Sequence, residues 1–169
     1  MFRPQDRQHW SIPAIRADED TLLLADSSGK GMAHYTPPTW RVAAYRGAKV
    51  SDLVRILHTS SVPAQISTII ISIGLVDRLQ VDTPLLFSMR ELGTDLFFLE
   101  DAADRKIAVL KLPFVDITNS DLEAGTRSFN EYMDDAFADL GYLVDVPTEF
   151  VDLDAAGPLL VSLATAHLN

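Results

Sequence analysis

Three short runs in this chain are apolar on both faces: Thr21 to Ala25 ("TLLLA"), Ser67 to Ile73 ("STIIISI") and Lys106 to Leu112 ("KIAVLKL"). A strand half exposed to water alternates polar and apolar residues, so runs without alternation read as strands of a parallel sheet covered on both sides. "WRVAAY" (residues 40 to 45) is a weaker fourth strand, and Tyr142 to Val144 a short fifth. Helical spacings fill the intervals. Val50, Leu53, Val54 and Leu57 share one face, as do Leu85, Leu86, Met89, Leu92, Leu96 and Phe97 behind a Thr83 N-cap and Pro84 as first helical residue. Ser120 and Glu123 read as a capping box ahead of Leu122, Phe129, Met133, Phe137 and Leu140, with Gly141 as the stop. Ala155 to Leu168 reads as a last helix, with Pro158 in its first turn.

Alternating strands and helices predict an α/β fold, a three-layer α/β/α sandwich around about five parallel strands with right-handed crossovers; in the flavodoxin-like arrangement, the one expected here, such a sheet has the order 2-1-3-4-5. Residues 1–20 are expected to be an extended lead-in and residues 21–169 a single domain; 169 residues suit one core, and no linker, repeat or low-complexity tract interrupts them.

With no cysteine there is no disulfide framework, thiolate metal site or thiol nucleophile. The formal net charge of -10 repels phosphate backbones, and Arg3, Arg7 and Arg16 are too few to make a nucleic-acid arm, so direct nucleic-acid binding is not expected. The charged start "MFRPQDRQHW" is unlike a secretory signal, and no apolar run approaches the roughly 20 residues of a membrane span, which sets cytoplasmic or nuclear residence as the expectation.

Ligands of such sheets bind beyond the strand carboxyl ends where the strand order reverses, here the loops Asp26 to Gly31 and Gly74 to Arg78. Ser27 could be a nucleophile at a strand end, or Asp26, Ser27 and Ser28 could be N-cap residues of the following helix. Ser28, Gly29 and Lys30 could offer main-chain donors and a cation to an anion, although the Walker spacing is absent. Asp77 and Arg78 read equally as a solvated turn. No residue spacing points to a metal or cofactor.

The succession "ADSSGKGM", "AYRGAKVSDLVRIL" and "IIISIGLVDR" resembles the blocks of the SGNH hydrolases (GDSL-type esterases and acetylhydrolases), whose first block is Gly-Asp-Ser and third Gly-x-Asn-Asp. It is most similar to the esterase-like domains of animal retroelement polyproteins, with their phrases "IPxI...DTLLIGDS" and "YPGAK", from Trp10 to Asn169. The resemblance implies Ser27 as nucleophile and oxyanion donor, Gly47 as second oxyanion donor, Gly74 as the start of the third block and Asp77 as its aspartate. The departures are Ala25 for the first glycine and Val76 for the oxyanion-hole asparagine. The last block, Asp-x-x-His, has only Asp152 and Asp154 as starting points, followed three residues later by Ala155 and Gly157.

Serine is a poor nucleophile without a base, and loss of a triad member or oxyanion donor costs orders of magnitude in rate. His9, His34, His58 and His167 are the remaining imidazoles; a helix is expected to carry His34 away from the strand ends, and a rebuilt Ser27–His34 or Ser27–His167 pair is the condition for activity. One reading is therefore a catalytically degenerate domain kept as a binding or assembly module, with a protein partner, self-association or a small ligand in the vestigial pocket. The alternative is an active serine esterase using Ser27 with an unrecognised base. Anion binding at Ser27 to Lys30 is a third.

Overall fold

The structure, a computed structural model, describes residues 4–115 and 120–169. Strands β1 (Thr21–Ala25), β2 (Trp40–Ala44), β3 (Thr68–Ser72), β4 (Lys106–Leu110) and β5 (Leu143–Val144) form one parallel sheet in the order β2-β1-β3-β4-β5. This is the predicted 2-1-3-4-5 order. In register, Leu23 lies between Val42 and Ile70, and Ile70 beside Ala108.

Side chains alternate across a strand, so β1 turns Leu22 and Leu24 to one face and Leu23 and Ala25 to the other. Helices α2 (Val50–Thr59), α3 (Thr83–Ala103) and α4 (Ser120–Ala136) cover the first face; α1 (Ser28–Ala33) and α5 (Leu153–Leu168) cover the second. All five residues of β1 are buried, which is why that run lacks polar alternation. Each leucine so placed contributes about 1.5–3 kcal/mol of burial.

The ends of the elements differ from expectation in instructive ways. Asp82, not Thr83, caps α3, its Oδ1 accepting the Leu85 N–H at 3.1 Å, and Pro84 is the second helical residue. A carboxylate outside the helix reaches that donor and favours the positive end of the helix dipole. Ser120 is already helical, and its cap position lies outside the described residues. α4 ends at Ala136, five residues before Gly141; Asp139 and Gly141 both take positive φ (69° and 73°) in the turn that leads to β5. α5 begins at Leu153, so Pro158 sits inside the helix and leaves the Asp154 carbonyl without its i+4 donor.

The lead-in is partly helical, with a 3-10 stretch Pro4–His9 before an extended segment. Arg7 accounts for its anchoring. Its guanidinium lies 2.6 Å from the buried Asp52 carboxylate and 5.4 Å over the Trp10 ring, while Tyr45 donates to the Ser11 carbonyl at 2.7 Å. Among the described residues no helix is long and apolar enough to cross a membrane.

Candidate functional site

At the carboxyl end of β1 the chain turns from strand to helix around Asp26, which is buried. Its Oδ1 accepts the Ser28 N–H at 2.9 Å, and its Oδ2 accepts the N–H groups of Gly74 and Leu75, both at 3.1 Å. One carboxylate thus satisfies three main-chain donors and fixes the loop after β1 to the loop after β3. Gly74 is required there: its φ is +136°, and a Cβ would lie 2.6 Å from the Phe129 ring.

Ser27 is exposed, takes helical angles (φ -62°, ψ -16°) and makes no side-chain cap bond. The helix start is therefore held by Asp26 and not by the serine. The Gly29 and Lys30 N–H groups donate to the carbonyls of Asp26 and Ser27 at 3.1 and 3.2 Å. With Ser28 bonded to Asp26, all three main-chain donors expected to serve an anion are already engaged, and α1 is only six residues long. Ser28 turns its hydroxyl instead to that of Ser72, 2.9 Å away.

Ser27 opens onto a cleft of about 570 Å³ between α1, α5 and the ends of β3 and β4. Ser27, Gly31, His34 and Tyr35 reach it because residues three, four, seven and eight apart share a helix face. Leu153, Gly157 and Leu160 repeat that spacing on α5, with Asp154 beside them, and Ile73, Leu75, Leu110, Leu112 and Val115 make the apolar floor. α1 and α5 can approach because α5 has a glycine at the crossing: a Cβ at Gly157 would collide with the Gly31 carbonyl.

The structure brings His34 onto the same cleft as Ser27, against the expectation that the helix would carry it away. Seven residues nevertheless separate them along one face, a rise of about 10 Å, and no hydrogen bond joins the two among the described residues. His167 lies at the wrong end of the sheet, since the carbonyl of neighbouring Leu168 accepts from Lys106 at the start of β4. His58 ends α2 on the opposite helical layer and pairs with Asp95 at 3.0 Å. His9 lies in the lead-in, whose Trp10 and Ile12 pack on that same layer. Of the two carboxylates proposed for the last block, Asp152 is the exposed N-cap of α5 while Asp154 lines the cleft. Gly157, where one of the two histidine positions falls, is closed by Gly31.

Lys111 is also on the cleft but cannot act as a free base. Burial disfavours its ammonium, yet Asp134 and Asp145, 2.6 and 2.8 Å away, outweigh that and raise its pKa.

The other expected oxyanion positions do not line the cleft that Ser27 lines. Val76 lines a separate cavity with Lys49, Asp77 and Gln80. Gly47 (φ +76°) lines neither and sits under Arg7, whose Nη2 is 3.2 Å from where a Cβ would be. Asp77 is not a solvated turn. It accepts the Val50 N–H at 2.8 Å, and burial pushes its pKa up to about 6, with Asp52 and Asp26 adding to the rise against Val50 and Lys49. Tyr35, Ser72, Lys111 and Leu153 escaped the sequence reading; the i, i+4, i+7, i+8 spacing from Ser27 was the available signal for Tyr35.

No protein-family model matches the sequence, and no curated protein matches it. Among solved structures it is similar to a protein from Streptococcus pneumonia provisionally named a platelet activating factor (16% identity, TM-score 0.55, covering 92% of this chain and 77% of that one). It also matches the psychrotrophic esterase EstA from Pseudoalteromonas sp. (14% identity, TM-score 0.48, 88% and 96% covered) and the acetyl xylan esterase AlAXEase (11% identity, TM-score 0.46, 82% and 79% covered). The chain thus has the same fold as the pneumococcal protein, the SGNH-like parallel-sheet architecture that its sequence resemblance implies.

Proposed function

We propose that this chain is a catalytically degenerate hydrolase-like domain that has kept its cleft for binding. The observation that carries the reading is the isolation of Ser27. Its nearest cleft imidazole is two helical turns away, the position of a last-block histidine at Gly157 is packed shut, and Val76 offers no side-chain donor. Each loss alone costs orders of magnitude in rate. The test is hydrolysis of a short-chain p-nitrophenyl ester by the wild type and Ser27→Ala, with equal, near-background rates expected; a Ser27-dependent rate overturns the reading.

One observation favours the alternative of a working serine esterase: Ser27, His34 and Asp154 line a single cleft. Under that reading both Ser27→Ala and His34→Ala abolish hydrolysis. The retroelement resemblance adds the proposal that the domain is carried in a polyprotein of the cytoplasm or nucleus and meets a partner protein or a second copy. Light scattering across a concentration series tests the second copy.

A further inference from the structure

The charge of the cleft is as informative as its shape. Its floor is aliphatic (Ile73, Leu75, Leu110, Leu112, Val115, Leu160), and its rim carries Tyr35 and Leu153, 53% and 71% exposed. A cavity of about 570 Å³ with such a floor suits a small ligand with an extended apolar body. The polar groups then decide the head group. Among the described residues Lys111 is the one ammonium or guanidinium on the cleft, and it is held between Asp134 and Asp145, so none of them leaves such a cation to receive a carboxylate or phosphate. Asp154 is an exposed carboxylate on the wall with no ion-pair partner among the described residues. Its main-chain carbonyl is deprived of a helical donor by Pro158, and Ser27 lines the same cleft from α1. A protonated amine brings donors that these acceptors can take. The net charge of -10 also disfavours an anionic ligand at long range.

We infer that the cleft binds an aliphatic amine, with the ammonium at Asp154 and the hydrocarbon along Leu110, Leu112, Val115 and Leu160. The inference rests on the reading of the cleft as a binding site. Fatty carboxylates of the same length should be excluded, because they would place an unpaired negative charge beside Asp154.

Decylamine and decanoate, matched in chain and opposite in head group, test this by calorimetry and amide NMR at pH 8, which keeps imidazole charge out of the comparison. Both are used below their aggregation concentrations. The expected result is saturable decylamine binding that moves the Gly31, Leu112 and Ala156 amides, at least about fivefold tighter than decanoate. Asp154→Asn should weaken decylamine by up to about fivefold and, by removing the repulsion, strengthen decanoate, so that the two probes converge. Gly31→Leu should abolish binding, since nothing lies within 4 Å of a Cβ there and the new side chain enters the cleft. Equal binding of the two probes, binding of neither, or amine binding that survives Gly31→Leu and so reflects the acidic surface at large would each overturn the inference. Neither probe has an ester, so this outcome is independent of the hydrolysis test. Ser27-dependent hydrolysis would sink the degenerate reading while leaving the amine result to stand on its own.

Discussion

Replacing Asp26 by alanine should cost about 3–4 kcal/mol of stability, far more than any change at Ser27. Three N–H groups lose their only acceptor. That of Gly74 is fully buried and has no access to water, while those of Ser28 and Leu75 are part-buried and recover some solvation. An orphaned buried donor costs about 1–3 kcal/mol, so the Gly74 group alone should account for about 2 and the other two together for the remainder. Asp26→Asn keeps one carboxamide oxygen but turns an NH₂ toward N–H groups, and should fall about halfway between. Ser27→Ala removes an exposed hydroxyl with no cap bond and should stay within about 0.5 kcal/mol. Urea unfolding followed by circular dichroism measures all three. With m near about 2 kcal/mol/M, Asp26→Ala should lower the midpoint by about 1.5–2 M. A drop under about 0.5 M at unchanged m would refute the claim that this carboxylate joins the two loops.

The two glycines of the α1–α5 crossing should respond in opposite directions. Gly31→Ala, with open space around its Cβ, should stabilise by about 0.5–1 kcal/mol, while Gly157→Ala should destabilise by more than about 2 kcal/mol, both read as thermal midpoints. Arg105 is buried and donates to the carbonyls of Ile66 (2.8 Å), Leu99 (2.9 Å) and Pro63 (3.3 Å). Lysine cannot span that fork, so Arg105→Lys should lower Tm by about 6–10 °C in a scanning calorimeter. Asp77 has a folded pKa of about 6 against 3.8 in the open chain, so between these values the folded state binds the extra proton. Its contribution to stability therefore falls as pH rises through that window, and the cost is fully present above it. Asp77→Asn retains an acceptor for Val50 and should be more stable than the wild type by about 1 kcal/mol at pH 8, with no advantage at pH 4, as measured by urea midpoints at the two pH values.

How much of this could be read from the sequence depended on whether the signal was local. The buried strands declared themselves because Leu22 to Leu24 and Ile69 to Ile71 are apolar at consecutive positions, and only two-sided coverage permits that. The sheet order was legible only through the family resemblance, since right-handed crossovers are common to several doubly wound orders and do not select 2-1-3-4-5. Caps were less legible. Thr83 and Asp82 are both good N-cap residues, and the choice between them is made by which side chain reaches the Leu85 N–H. Pro158 looked like a first-turn residue because nothing in "FVDLDAAGPLL" announces that the helix already starts at Leu153.

The cleft was illegible for a different reason: it is made by a crossing. Gly31 and Gly157 are more than a hundred residues apart, and each alone reads as a weak point in a short or interrupted helix. The crossing needs Gly157, where a Cβ would run into the Gly31 carbonyl, and it sets His34 and Asp154 on a cleft that Ser27 also lines. The same distinction bears on the Asp-Ser phrase itself. Asp26 is accounted for by three hydrogen bonds that hold the loops after β1 and β3 together in this chain. Ser27 takes no part in that structure, and among the described residues no base is hydrogen-bonded to its hydroxyl. A sequence match to the pair therefore reports mainly on the aspartate, whose role here is mechanical, and on the proposed reading the phrase persists without the serine's reaction.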